Sequence, residues 1–174
     1  MNYKAIIVFC LAGGLGAAAL AEETEKSIYK GNVESRINAL SSIQPGLGVV
    51  MHEIGYRITA LYKAANGGNW GLAQYELKEL IEAQEVAEVT RPQQAGMLKG
   101  FENSSLVPLE KAITQKDIKQ FNLRFTKVVN ACNACHTALG HAYIKYRVPA
   151  QSNSDFLDYN LKTEPEDTEE KEQK

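Results

Sequence analysis

The stretch that most constrains this chain is Cys132-Asn133-Ala134-Cys135-His136. Two thiols three residues apart lie on neighbouring positions of one helical turn. An imidazole follows at once. This is the C-x-x-C-H spacing of c-type haem attachment. Each thiol adds to one vinyl group of the haem, and the adjacent His becomes the proximal ligand of the iron. The motif therefore predicts one covalent haem c held by Cys132, Cys135 and His136. Two other chemistries use similar residues. A thioredoxin-like dithiol needs a βαβ context, and no strand pattern surrounds these cysteines. A closed zinc site needs four ligands, and the few other Cys and His residues are scattered along the chain.

The amino-terminal residues support the same chemistry. Residues 1–21 carry one positive charge at Lys4, an apolar run from Ala5 to Leu11, and small residues at Ala19-Leu20-Ala21. This is the pattern of a secretory signal peptide cleaved after about Ala21. It is too short and too rich in Gly for a lasting membrane span. Cys10 lies within it and leaves with it. The expected location is the periplasm, because bacteria attach c-type haem outside the cytoplasmic membrane. Beyond the leader, acidic charge concentrates in Glu164–Lys174, while residues 22–163 are nearly neutral. A near-neutral body gives no basis for nucleic-acid binding.

Hydrophobic periodicity organises the rest. Residues 22–44 read as a polar extension with a marginal helix on Ile28, Val33, Ile37 and Leu40. A break at Ser41–Gly46 precedes a first long helix over about 46–65. There Leu47, Val50, Met51, Ile54, Ile58, Leu61 and Tyr62 form one apolar stripe, roughly 30 Å long. A second helix covers about 69–89, with Asn69 as its cap. Trp70, Ala73, Leu77, Leu80, Ile81, Gln84 and Val86 outline its buried side, and its acids and Lys78 lie opposite. Arg91-Pro92 stops it. Residues 92–115 read as a broken third helix in two pieces separated by Asn103-Ser104-Ser105. A fourth helix over about 115–146 carries Ile118, Phe121, Phe125, Val128, Val129, Cys132, Cys135, Leu139 and Tyr143. The expected organisation is all-α, with a haem-binding four-helix unit over 45–148 and a polar, acidic, disordered tail over 149–174.

Four helical segments, the last bearing Cys132-Asn133-Ala134-Cys135-His136 near its end, resemble the cytochrome c′ family. The resemblance implies an antiparallel four-helix bundle with haem in its core, and a homodimer packed through the first two helices. Class I cytochromes c attach haem near the amino terminus and supply a Met ligand far downstream; here no Met follows Met97. The chain also departs from the cytochrome c′ pattern. The residues after His136 read Thr137, Ala138, Leu139, Gly140 and His141, where that family places a basic residue beside the ring.

The resemblance places a first-helix residue over the distal face of the haem, and its identity decides function. An apolar residue leaves iron five-coordinate and open to NO or CO. A His or Met closes the site and favours electron transfer. His141 follows His136 on the same helix and does not reach the opposite face. The distal candidates are Met51 and His52, with Met97 behind them. Met51 serves equally well as core filler. His52 has Gly48 and Gly55 one turn to either side, bare backbone that lets a flat macrocycle approach, yet the same pattern suits an exposed His. Arg57 and Arg124 fit either a propionate or an acidic partner. Trp70 and Phe125 fit either the haem pocket or the core. The expected activity is one-electron transfer with a periplasmic redox partner; the alternative is binding of a small gas ligand, NO or CO. No distal His–Arg pair supports peroxide catalysis, so no catalytic residue is assigned and the chain reads as a non-enzyme without a membrane span once the leader is gone.

Overall fold

The computed structural model describes residues 27–148, 159–160 and 162–165. Among them every regular element is helical, and the single β-bridge, between Asn69 and Thr163, is isolated. The chain separates into two units, residues 1–43 and residues 44–174. In the first, α1 (Val33–Ser42) starts at Asn32, whose Oδ1 accepts from Ser35 N at 2.8 Å. Its apolar residues Val33 and Ile37 are exposed.

The second unit is built from α2 (Leu47–Gly67), α3 (Trp70–Thr90), α4 (Pro92–Phe101), α5 (Val107–Thr114) and α6 (Ile118–Ala138), with a π turn (Glu102–Leu106) between α4 and α5. Its first joint is set by local chemistry. Gly68 takes φ +83°, the left-handed conformation that ends α2, and the Asn69 side chain then caps α3 by accepting from Leu72 N. Val50, Ile54, Ile58 and Leu61 of α2 meet Ala73, Leu77 and Leu80 of α3 in the core. Beside that seam Arg57 reaches three carboxylates: Glu53 at 2.7 Å, Glu76 at 3.0 Å and Glu79 at 3.7 Å. Burial lowers the Arg57 pKa, but its bonds to Glu53 and Glu76 outweigh that and hold it above its ordinary value. Glu76 is itself buried, against the expectation that the α3 acids face away, and Val86, expected inside, is exposed.

The expected break at Asn103-Ser104-Ser105 is not a loop. The helix continues through the π turn, closed by Val107 N donating to Glu102 O. Pro108 explains the widening. It has no N–H for a bond one turn back, and its ring crowds the preceding turn. The segment is thus helical from Pro92 to Thr114, with a change of pitch in the middle. Gln84 of α3 ties it down by donating from Nε2 to Leu98 O at 3.1 Å.

Between α5 and α6, Lys116 takes φ +53°, and Asp117 caps α6 by accepting from Lys119 N and Gln120 N, each at 3.0 Å. Phe121, Phe125 and Val128 of α6 are wholly buried. Phe125 lies 4.6 Å from the Tyr62 ring and Phe121 stands edge-on to Trp70. Asn66 and Asn122 exchange two amide hydrogen bonds, at 3.2 and 3.1 Å, joining α2 to α6 beyond the aromatic cluster.

The α6 helix ends at Ala138, well before the expected residue 146. Gly140 has φ +80°, His141 N donates to His136 O at 2.7 Å, and Gly140 N donates to Thr137 O at 3.1 Å. This pair of bonds with a left-handed Gly is the Schellman arrangement that reverses a chain at a helix end. Tyr143, expected in the core, is consequently 80% exposed.

Within 149–174, the segment expected to be disordered, Tyr159 is buried. Thr163 Oγ1 donates to Asn69 Oδ1 at 2.5 Å and accepts from Gly71 N at 2.8 Å, and Lys116 pairs with Glu164. A Cβ at Gly67 would overlap the Tyr159 carbonyl, so the turn must stay bare there. No described helix is long and apolar enough to cross a membrane.

Two stability measurements follow. Replacing Arg57 with Leu strands buried Glu76 and should cost about 3 kcal/mol in denaturant unfolding, whereas Glu53→Ala, removing a half-exposed partner, should cost less than about 1 kcal/mol. Gly140→Ala should cost about 1–2 kcal/mol because φ is positive there, and not through a clash, since a Cβ would meet nothing within 4 Å.

Candidate haem-attachment site

The site occupies the last turns of α6, and the helical period disposes it. Cys132 continues the stripe of Phe121, Phe125 and Val128 and packs half-buried against the same core. At about 100° per residue, Cys135 and His136 leave the helix on either side of Cys132. Cys135 turns toward α4, where its Sγ lies 3.0 Å from Met97 Sδ. His136 turns toward the chain that folds back after Gly140, with Nδ1 2.9 Å from Ile144 O.

That last bond fixes the tautomer. A carbonyl oxygen can only accept, so Nδ1 carries the proton and donates. In the neutral ring the lone pair then lies on Nε2, the atom a metal-ligating imidazole presents. The returning chain is held in place by Asn133, inside the motif. Its Nδ2 donates to Tyr146 O at 2.9 Å and its Oδ1 accepts from Tyr146 N at 2.8 Å. The Tyr146 hydroxyl lies 3.0 Å from Thr59 Oγ1, and Thr59 already donates to Gly55 O at 2.7 Å, so the tyrosine is the donor. One short strap thus links the motif, the His136 ring and α2.

The two thiols form no disulfide. Burial, and then the neighbouring Cys135, pushes the Cys132 thiol up to about 11. Burial raises the Cys135 thiol as well. The Tyr146 phenol is also raised, chiefly by burial, against the lowering effect of Thr59. Attacking cysteines of redox dithiols have depressed pKa values and electropositive surroundings; this pair has the opposite environment.

The distal candidates are distributed unevenly. Met51 is partly buried against the core, and His52 is exposed. Cβ atoms built on Gly48 and Gly55 would meet nothing within 4 Å, and the same holds for Gly96 and Gly100 on α4. Met97, the least favoured candidate in the sequence, is the one in contact with a motif cysteine. Arg57 is engaged by carboxylates, while Trp70 and Phe125 belong to the aromatic cluster.

These residues fit a haem. Among the described residues no three His, Cys, Asp or Glu side chains converge to hold a bare metal ion. A macrocycle brings four nitrogens of its own and needs only one imidazole beneath it. The thiols lie on one turn, the imidazole presents Nε2, and Met51, Phe101 and Cys132 lie partly uncovered at the core's edge. Sequence reasoning missed Asn133, Ile144 and Tyr146 because it carried α6 through to residue 146; Gly140 was the available signal for an earlier end. Comparison with protein-family models found no match, and neither curated proteins nor solved structures showed significant similarity.

The raised thiol gives a test on the haem-free chain. Iodoacetamide at about pH 8 should alkylate Cys135 ahead of Cys132 by mass spectrometry, with the lag closing as pH approaches about 11. Folding holds the Cys132 proton more tightly than the unfolded chain does. The stability this confers is complete below about pH 8.5 and is lost as pH rises toward about 11.

Proposed function

We propose that this chain is an exported c-type cytochrome with one covalent haem, transferring single electrons in the periplasm. The observation that carries the reading is the anchoring of the His136 ring beside the two cysteines. An imidazole bonded through Nδ1 to Ile144 O, with Nε2 directed away from that bond, stands beside two unbridged thiols on one helical turn. The raised thiol pKa values weigh against the dithiol alternative. The leader and its cleavage near Ala21 are part of this proposal, and they lie outside the described residues.

The cytochrome c′-like arrangement is the finer part of the reading. Its four rods are α2, α3, the kinked α4–α5 segment and α6. Support for an antiparallel course comes from side-chain register: Asn66 meets Asn122, Tyr62 meets Phe125, and Thr59 lies nearer the motif end through Tyr146. Extending that register brings Cys132–His136 level with the stretch of α2 that holds His52 and Gly55.

A haem bound there supplies a one-electron couple. The protein's part is binding, orientation and electrostatics. Cys132 and Cys135 fix the ring covalently. His136 presents Nε2 and is prevented from rotating by the strap. The apolar edge around Met51, Phe101 and Cys132 excludes water, which together with the axial ligands sets the potential.

The deciding experiment is expression with c-type maturation, followed by acid extraction and visible spectroscopy. The wild type should retain its haem, and Cys132→Ala/Cys135→Ala should release all of it; a matured wild-type protein without covalent haem sinks the proposal. The reduced spectrum should be sharp, low-spin and unchanged by CO. A broad high-spin spectrum shifted by CO would transfer the reading to gas binding at five-coordinate iron. Met51→Ala, His52→Ala and Met97→Ala then identify the distal ligand as the variant whose low-spin spectrum is lost.

A further inference from the structure

The feature the motif does not account for is the strap. Its two bonds to Asn133 are reciprocal, 2.9 and 2.8 Å, and they grip the backbone of Tyr146 and not its side chain. Two residues earlier on the same strand of chain is the carbonyl that His136 Nδ1 meets at 2.9 Å. The turn between is stiffened by Ile144 N donating to His141 O at 2.8 Å. Asn133 therefore closes a loop that begins at Gly140 and passes under the imidazole. In a C-x-x-C-H motif the attachment chemistry asks nothing of the first x position. Here that position carries an amide with both its donor and its acceptor engaged.

We infer that Asn133 is a positioning residue for the proximal ligand: by clamping Tyr146 it holds the Ile144 carbonyl on His136 Nδ1, and so sets the orientation and basicity of the iron-binding imidazole. The inference rests on the haem-binding reading. A carbonyl accepting from Nδ1 makes Nε2 a stronger donor to iron. Stronger donation favours ferric over ferrous iron and lowers the reduction potential. Release of the clamp leaves the far end of the strap tethered by the Tyr146 side chain, through its packing on the core and its hydroxyl on Thr59, and frees the backbone that carries the Ile144 carbonyl. The His136 ring is then free to exchange its carbonyl partner for water.

The test is Asn133→Leu in the matured, full-length protein, which keeps the side-chain bulk and removes both amide bonds. The midpoint potential should rise and hydrogen exchange across residues 144–146 should accelerate, with haem still covalently attached. Tyr146→Phe, which removes only the hydroxyl link to Thr59 and leaves the Asn133 clamp whole, should move the potential much less. An unchanged potential in Asn133→Leu, or an equal shift in Tyr146→Phe, overturns the inference. If Asn133→Leu matures without haem, or the wild type binds none, nitrogen NMR of the His136 ring in the full-length unloaded chains decides instead. The wild type should hold the Nδ1–H tautomer and Asn133→Leu should lose it; the same tautomer in both chains removes the positioning role. Absence of haem from the wild type counts against the functional reading alone.

Discussion

The burial of one stripe on α6 is the constraint on which the rest of this molecule depends. Phe121, Phe125 and Val128 have no exposed surface, and the same helical period that drives them inward carries Cys132 to the inner edge of the core. Removal of apolar surface from water stabilises each such residue by about 1.5–3 kcal/mol. The orientation of the helix about its own axis is therefore not free. Once it is fixed, Cys135 must face α4 and His136 must face the strap. The site inherits its geometry from core packing, and its chemistry needs no separate scaffold.

Much of that packing was legible in the sequence, because periodicity reports which side of a helix is apolar. Val50, Ile54, Ile58 and Leu61 were read as the inner face of α2 and are buried, as is Gln84 on α3. The capping role of Asn69 and the stop at Arg91-Pro92 were equally visible, since each is a local property of one side chain or ring. The failures have a common cause. Asn103-Ser104-Ser105 has poor helix propensity, but the flanking Leu98, Leu106 and Leu109 are buried and draw the segment into a continuous helix. Propensity is a weak preference of a few tenths of a kcal/mol per residue, and tertiary burial overrides it. Val86 and Glu76 are exchanged relative to expectation for a similar reason: Arg57 on another helix supplies the partner that lets a carboxylate lie inside.

The strap was illegible for a different reason. From Leu139 to Tyr143 the apolar spacing remains compatible with helix, so periodicity alone extends α6. What ends it is backbone conformation at Gly140, a single residue with φ +80°. Reversal there places Ile144 beside His136 and Tyr146 beside Asn133, contacts between residues that a continuous helix would hold turns apart. A motif reading sees its own five residues and not the group that the fold brings against them. That group is a backbone carbonyl, which no side-chain pattern encodes.

The environment of the thiols separates the competing chemistries more sharply than the motif does. A dithiol that works by nucleophilic attack gains from a thiolate at neutral pH, and proteins achieve this with positive charge or a helix amino terminus nearby. Cys132 and Cys135 lie at the carboxy-terminal end of α6, where the helix dipole disfavours negative charge. Burial acts in the same direction and pushes the Cys132 thiol up to about 11. Both effects keep the sulfurs protonated and neutral. A neutral sulfur is tolerated at an apolar edge, where a thiolate would be costly to bury. Beside them the His136 ring is anchored through Nδ1, which donates to the Ile144 carbonyl and leaves Nε2 directed away from the strap. Thiols held neutral and an imidazole anchored through one ring nitrogen are two separate local arrangements, reached by different means within two turns of one helix.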